Sequence, residues 1–233
     1  MKIIVAGASG FVGSEVVRQA VRRPEVTSVI ALSRTAISTP SDTPQSDSAK
    51  LKSIVVDDYG SYPDDVKQEF AGAHGCIWSV AIVPSKSKNF PFEEVVRVCQ
   101  TSTLAGLRAM VESQPTKPFR FMYVSGIAVE RDQTKTPPFF PEYLLMRVSA
   151  KTENQMIQYS SEHPGIEAAS ARPGHISSPE RPPSDDFVKR GIVIEVSDLA
   201  VVLLNQVIGG FDKDPLLHQD LLAIAERVRA KEE

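Results

Sequence analysis

Residues 142–153 read EYLLMRVSAKTE and set Tyr143, Arg147 and Lys151 at four-residue intervals, one above another along a single side of a helix. A phenol beside a cation is a proton-transfer pair: free tyrosine titrates at about pH 10, and a neighbouring positive charge lowers that value by stabilising the phenolate. The same spacing is also ordinary on a solvated helix face, so both readings stand at this level. Ahead of the helix lie Arg131 and Asp132, which either bind and polarise a small substrate or pair on the surface and fix their loop.

A second constellation stands near the amino end. KIIVAGASGFVGSEVV places Gly7, Gly10 and Gly13 in a G-x-x-G-x-x-G arrangement between a β-branched run and a helical pattern. Gly7 permits a tight turn, Gly10 lets backbone N–H groups come close to a pyrophosphate, and Gly13 lets the helix pack closely on the strand. The phosphate is expected on the positive end of that helix. About twenty residues further on, where NAD-binding folds use a carboxylate for the ribose hydroxyls, this chain has Ser33 and Arg34. A planar cationic fork suits a 2′-phosphate that a carboxylate would repel, so NADP(H) is expected ahead of NAD(H). Asp57 and Asp58 either accept from the adenine amine or simply open a loop.

These residues need a scaffold to bring them together. KIIVA, SVIAL, KSIVV, CIWSVAI, FRFMYVS and IEAASA are short, apolar and rich in β-branched or aromatic residues, as strands buried on both faces should be. Between them run FVGSEVVRQAVRR, YPDDVKQEFAG, FEEVVRVCQTSTLAGLRAMVES and PEYLLMRVSAKTENQMIQYSSEH, with apolar residues near helical spacing. The alternation predicts an α/β fold: a Rossmann doubly wound parallel sheet of about six to seven strands, helices on both faces, and a small C-terminal substrate region. Residues 1–233 are expected to form a single domain, its substrate region built from 126–141 and 174–233. TAISTPSDTPQSDSAK, TKTPPFFP and SSPERPPSDD read as loops, and SDLAVVLLNQVIGG, opened by a Ser/Asp cap, and DPLLHQDLLAIAERVRA as closing helices.

Composition narrows the partner. With 26 basic and 29 acidic residues among 233, the net charge of -3 gives no footprint for nucleic acid or an anionic membrane, so a small-molecule substrate is expected. A homodimer is compatible with the sequence. Cys76 and Cys99 are far apart and outside any His/Cys cluster, signalling neither a disulfide framework nor a metal site. MKIIVAGASG is too short and too soon broken by glycine for a signal peptide, and no run approaches a membrane span; a cytoplasmic location is the expectation.

GASGFVG at 7–13, VVDD at 55–58, FMYVSG at 121–126 and ARPGHI at 171–176 together resemble the short-chain dehydrogenase/reductase superfamily, in its atypical epimerase-like and NmrA-like branch. EVSDLAVVLLNQVI is similar to the C-terminal helix of that family, and SYPDD and ERDQTK to stretches of its compact fungal members. The resemblance spans essentially the whole chain. It implies a phosphate loop of Gly7, Ser9, Gly10, Phe11, Val12 and Gly13, and Ala81 lining the adenosine side. It also implies that Pro173, His175 and Ile176 face the nicotinamide carboxamide, and that Ser125 polarises a substrate carbonyl. His175 is placed to act as an acid or base, or to be satisfied by backbone.

The family also implies a Tyr and, four residues later, a Lys that lowers the phenol pKa and holds the nicotinamide ribose. None of the five tyrosines has a lysine four residues on. Three registers remain. In the first, Tyr143 is the acid and Arg147 stands for the lysine; in the second, Lys151 is the lysine and Arg147 occupies the tyrosine position. In the third, Glu153 is the glutamate that follows the motif by one turn, so that Leu145 and Ser149 replace both members. Three functions follow: an NADP(H)-dependent oxidoreductase on a small carbonyl or alcohol, with Ser125, Tyr143 and Arg147 catalytic; a non-redox isomerase or cyclase of small-molecule biosynthesis; and an NADP(H)-sensing regulator.

Overall fold

The computed structural model describes residues 1–135 and 143–232. In chain order the elements are β1 (Lys2–Ala6), α1 (Phe11–Ala20), β2 (Ser28–Ser33), α2 (Gln45–Ser48), β3 (Leu51–Val55), α3 (Asp64–Phe70), β4 (Gly75–Trp78), α4 (Pro84–Ser87), α5 (Phe92–Val96), a π-helical turn (Arg97–Thr101) and α6 (Ser102–Glu112). There follow β5 (Phe119–Val124), α7 (Tyr143–Glu162), β6 (Ile166–Arg172), β7 (His175–Ser177), α8 (Asp185–Lys189), β8 (Val193–Glu195), α9 (Val196–Gly209), β9 (Leu216–Leu217) and α10 (His218–Glu232).

All six apolar runs form strands of one parallel sheet, ordered β3-β2-β1-β4-β5-β6-β9. This is the doubly wound order, with its switch point between β1 and β4, where chain connections leave in opposite directions and open a crevice at the strand carboxyl ends. Successive residues of β1 serve opposite layers, as the two-residue period of a strand requires. Ile3 and Val5 pack with Val16 and Val17 of α1 and Leu203 of α9, whereas Ile4 and Ala6 pack with Phe70 of α3, Leu107 of α6 and Met156 of α7. Burial on both faces explains why these strands read as nearly continuous apolar runs.

Several details differ from the sequence expectation. CIWSVAI leaves the sheet after Trp78, and Val80–Ile82 instead line the crevice. The small parallel pair β7-β8 and the edge strand β9 are two or three residues long, too short to show a periodicity. The Ser/Asp cap is corrected: α9 begins at Val196 with no side-chain cap, and Asp198 pairs with Arg229. The expected loop 35–50 contains the single turn α2. Of the expected loop TKTPPFFP, residues 136–141 lie outside the described residues.

Both cysteines are buried thiols. Among the described residues no helix is long and apolar enough to cross a membrane, and no three His, Cys, Asp or Glu side chains cluster as a metal would need.

Candidate functional site

The glycine turn is held by backbone contacts that leave no room for side chains. Gly7 has φ +81°, and a Cβ on Gly13 would stand 2.1 Å from the Gly7 carbonyl oxygen. Any other residue at 13 would push α1 away from the turn. The amides of Gly7 and Ala8 both donate to the Leu32 carbonyl at 3.0 Å, tying the turn to the end of β2. Gly10 precedes α1 without a side-chain cap, so the first amides of that helix face outward with the positive end of its dipole. A cradle of uncapped amides that a Cβ would fill fits a diphosphate.

One residue of this arrangement carries no sequence signal. The buried Tyr59 hydroxyl donates to the Leu32 carbonyl at 2.9 Å and accepts from the Gly7 amide at 3.3 Å. Burial pushes its pKa up to about 12, against the opposing Gly7 hydrogen bond. Tyr59 is therefore a neutral brace under the glycine turn.

A cleft of about 380 Å³ opens from this turn across the carboxyl ends of β1 to β4; Gly7, Ser9, Gly10, Arg34, Asp57 and Asp58 are on its wall. Ala81, Ile82 and Val98 close its apolar side. Ser33 is corrected: it is buried, and its hydroxyl donates to the Thr35 carbonyl instead of facing the cleft. Asp58 accepts from Arg97 at 3.0 Å, and Arg97 is also clamped by Glu94 at 2.7 Å. The π-helical turn sets Arg97 and Val98 at the cleft edge, consistent with the frequent use of such turns at functional sites. Arg97 was not expected here, although its pairing with Glu94 follows from i,i+3 spacing.

The other end of the site lies beyond β5 and β6. The Ser125 amide donates to the Ala171 carbonyl at 2.8 Å and the Ile127 amide to Pro173 at 2.9 Å, so the segments after the two strands run side by side. The Ser125 Oγ is buried with no hydrogen-bond partner among the described residues. Pro173 is buried and Ile176 half-buried, while His175 stacks on Phe187 with centroids 4.6 Å apart and donates its amide to Ile192 at 2.7 Å.

Helix α7 shows which register faces the sheet. Glu153 is 0% exposed, and its carboxylate accepts from Arg172 at 2.6 and 3.1 Å. One and two turns earlier on the same side are Ser149, which shares a hydrogen bond with the buried Tyr123 hydroxyl, and Leu145, packed with the cleft-lining Ile82 and with Cys99. Burial raises the Tyr123 pKa, with the Ser149 hydrogen bond opposing it. Positions 147 and 149 differ by about 200° around a helix, so Arg147 and Lys151 lie on another side of it. Arg147 is half-buried, and Lys151 is solvent-exposed, which corrects its expected place beside a ribose. Of Tyr143 only the backbone lies within the described residues; its hydroxyl does not.

Arg131 is likewise corrected. Its guanidinium donates to Glu153 at 2.6 Å, to both Asp214 oxygens at 2.6 and 2.9 Å, and to Ser170 at 2.8 Å. Four directed bonds leave little of the fork for a substrate. Asp132 is exposed and closes its own turn by accepting from the Thr134 amide and hydroxyl at 3.0 and 2.6 Å.

Fold and cleft together define a dinucleotide-binding protein of the Rossmann type. A family model described as NAD(P)H-binding matches residues 7–207, and the chain belongs to that family. Solved structures that share its fold include epimerases, a reductase domain and dehydrogenases. MoeE5 in complex with UDP-glucuronic acid and NAD gives a TM-score of 0.64 at 17% identity, over 92% of this chain and 74% of its own. A short-chain dehydrogenase/reductase from Saccharomyces cerevisiae gives 0.67 at 12% identity, over 92% and 94%. A GalE-like L-threonine dehydrogenase from Cupriavidus necator, in its holo form, gives 0.64 at 18% identity, over 89% and 73%. At these identities the likeness shows a shared fold. No curated protein matches the sequence.

Proposed function

We propose that the protein is an NADP(H)-dependent oxidoreductase acting on a small carbonyl or alcohol. The observation that carries this reading is the buried hydroxyl of Ser125, unpartnered among the described residues, at the carboxyl end of the strand beside β4. An orphaned buried hydroxyl costs free energy unless something bonds to it, and a substrate oxygen would do so. The Arg34 fork on the cleft wall supports the phosphorylated cofactor. When bound, that cofactor supplies or accepts a hydride; the chain polarises the carbonyl at Ser125, and Tyr143, which opens α7, is the phenol assigned to move the proton.

A second reading, a non-redox isomerase or cyclase using the same scaffold, draws on the inward face of α7. Leu145 and Ser149 offer neither phenol nor ammonium there. One set of assays separates the two: NADPH absorbance and product formation with a panel of small carbonyls, for wild type, Ser125→Ala and Tyr143→Phe. The redox reading expects nicotinamide oxidation and a loss of about 100- to 1000-fold in turnover for Ser125→Ala, the size of one oxyanion donor. Product formed without absorbance change would support the isomerase reading. Unchanged turnover in Tyr143→Phe would remove the phenol from the mechanism.

A further inference from the structure

The segment between β7 and α8, SSPERPPSDD, carries Arg181 on a braced backbone. Ser178 and Arg181 exchange both backbone hydrogen bonds, at 3.2 and 3.0 Å. The Ser178 hydroxyl donates to the Glu180 carboxylate at 2.9 Å, and Pro179, Pro182 and Pro183 restrict φ on either side. The backbone is thus set, and the long, exposed side chain is the part left free to move.

That side chain rests on the phosphate loop. Its guanidinium carbon lies 4.4 Å from the centroid of the Phe11 ring, and no carboxylate among the described residues pairs with it. Phe11 opens α1, where the uncapped amides present their positive end. A cation has no electrostatic reason to stand beside a positive helix end unless an anion joins them. An exposed cation–π stack is also a weaker partner for a guanidinium than a bidentate, charge-assisted bond to phosphate. We infer that Arg181 binds the diphosphate of the dinucleotide together with the α1 amides, so that two segments about 170 residues apart in the chain grip one anion. The inference rests on the dinucleotide reading of the cleft and adds a binding residue outside the glycine loop.

The test is equilibrium titration of the full chain, as wild type, Arg181→Ala and Arg181→Lys, with NADPH, ADP-ribose and adenosine 2′-monophosphate. Arg181→Ala is expected to weaken NADPH and ADP-ribose by about 10- to 100-fold, the range for a hydrogen bond to a charged group. Adenosine 2′-monophosphate, which lacks the diphosphate, should stay within about twofold, and Arg181→Lys should recover part of the loss by supplying charge without the fork. ADP-ribose binding to Arg181→Ala as to wild type would overturn the inference, as would an equal loss for all three ligands. Failure of wild type to bind any of them would instead overturn the dinucleotide reading, and this inference with it.

Discussion

The two halves of the site are specified by different kinds of chemistry. Under the diphosphate, the requirement is a backbone path: amides of α1, the Leu32 carbonyl, and a turn so close-packed that Gly13 has no room for a methyl group. Under α7, the requirement is side-chain identity. There the inward positions hold Leu145 and Ser149, and the turn below them is fixed by the buried Glu153. A backbone cradle tolerates many neighbouring substitutions as long as its glycines remain, whereas proton chemistry is altered by one side chain. One half can therefore be kept intact while the other is rewritten.

The largest test of that separation is Glu153→Gln. The carboxylate is fully buried between Arg172 and Arg131, so its loss leaves Arg172 without a counter-charge. Breaking a buried pair costs about 3–5 kcal/mol, and in a domain of this size that lowers the melting temperature by roughly 6–20 °C. NADPH affinity, set by the glycine turn, Arg34 and Arg181, none of which bonds Glu153, should move by less than about threefold at a temperature where the variant is folded, since distant sites are nearly additive. A melting shift under about 2 °C would show a pair of little consequence and remove the anchor that defines the α7 register. A parallel collapse of cofactor affinity would show that the halves are not independent.

On the proposed NADP(H) reading, Arg34 sharpens the comparison from the other side, as a place where the cleft would depend on a side chain. Arg34→Ala should weaken NADPH by about 10- to 100-fold, through loss of a charge-assisted bond to the 2′-phosphate. NADH, which lacks that phosphate, should change by less than about twofold on the same reasoning. Fluorescence titration of both cofactors reads the ratio directly. An equal loss for the two would make Arg34 a general attractor of anions, and the preference for NADP(H) would fall.

Sequence and structure agree where the determinant is local. The six main strands are visible because burial on both faces leaves uninterrupted apolar runs, and the glycine turn because its conformation demands those residues. Arg34 and Asp57 are readable because they stand one and two residues past the ends of β2 and β3 in the Rossmann order. Long-range pairing is not readable. Arg131 meets Ser170 and Asp214 across 39 and 83 residues, so as a string it looks like a loop cation free for a substrate. Tyr59 becomes a brace only when β1 and β2 are adjacent. The α7 register could not be chosen from spacing, since three alignments satisfy it; the burial of Glu153 and the exposure of Lys151 make the choice.

The smallest expected effect concerns the strand that leads out of the second half. His218, 3% exposed at the start of α10, accepts the Gly174 amide on Nδ1 at 3.1 Å, which a doubly protonated ring cannot do. Burial holds its pKa below the ordinary histidine value, opposed by the nearby Gly191 backbone, which favours the charged form. The unfolded chain therefore takes up a proton at about pH 6.5 while the native ring is still neutral. This contribution to stability is whole above that pH and is lost as pH falls from there through the lower native pKa. A single proton sets a limit of about 1.4 kcal/mol per pH unit on that slope. Urea midpoints at pH 7.5 and 5.5 should converge more closely in His218→Gln than in wild type, because the substitution removes this proton and leaves every carboxylate in place. Equal pH dependence in the two proteins would exclude His218 as the source. Because Gly174 lies on the β6 side of the site, the loosening should appear as faster amide exchange at Gly174 and His175, with none at Gly7 and Ala8; exchange rising equally in both places would mean that the cradle and the rewritten half share one cooperative unit.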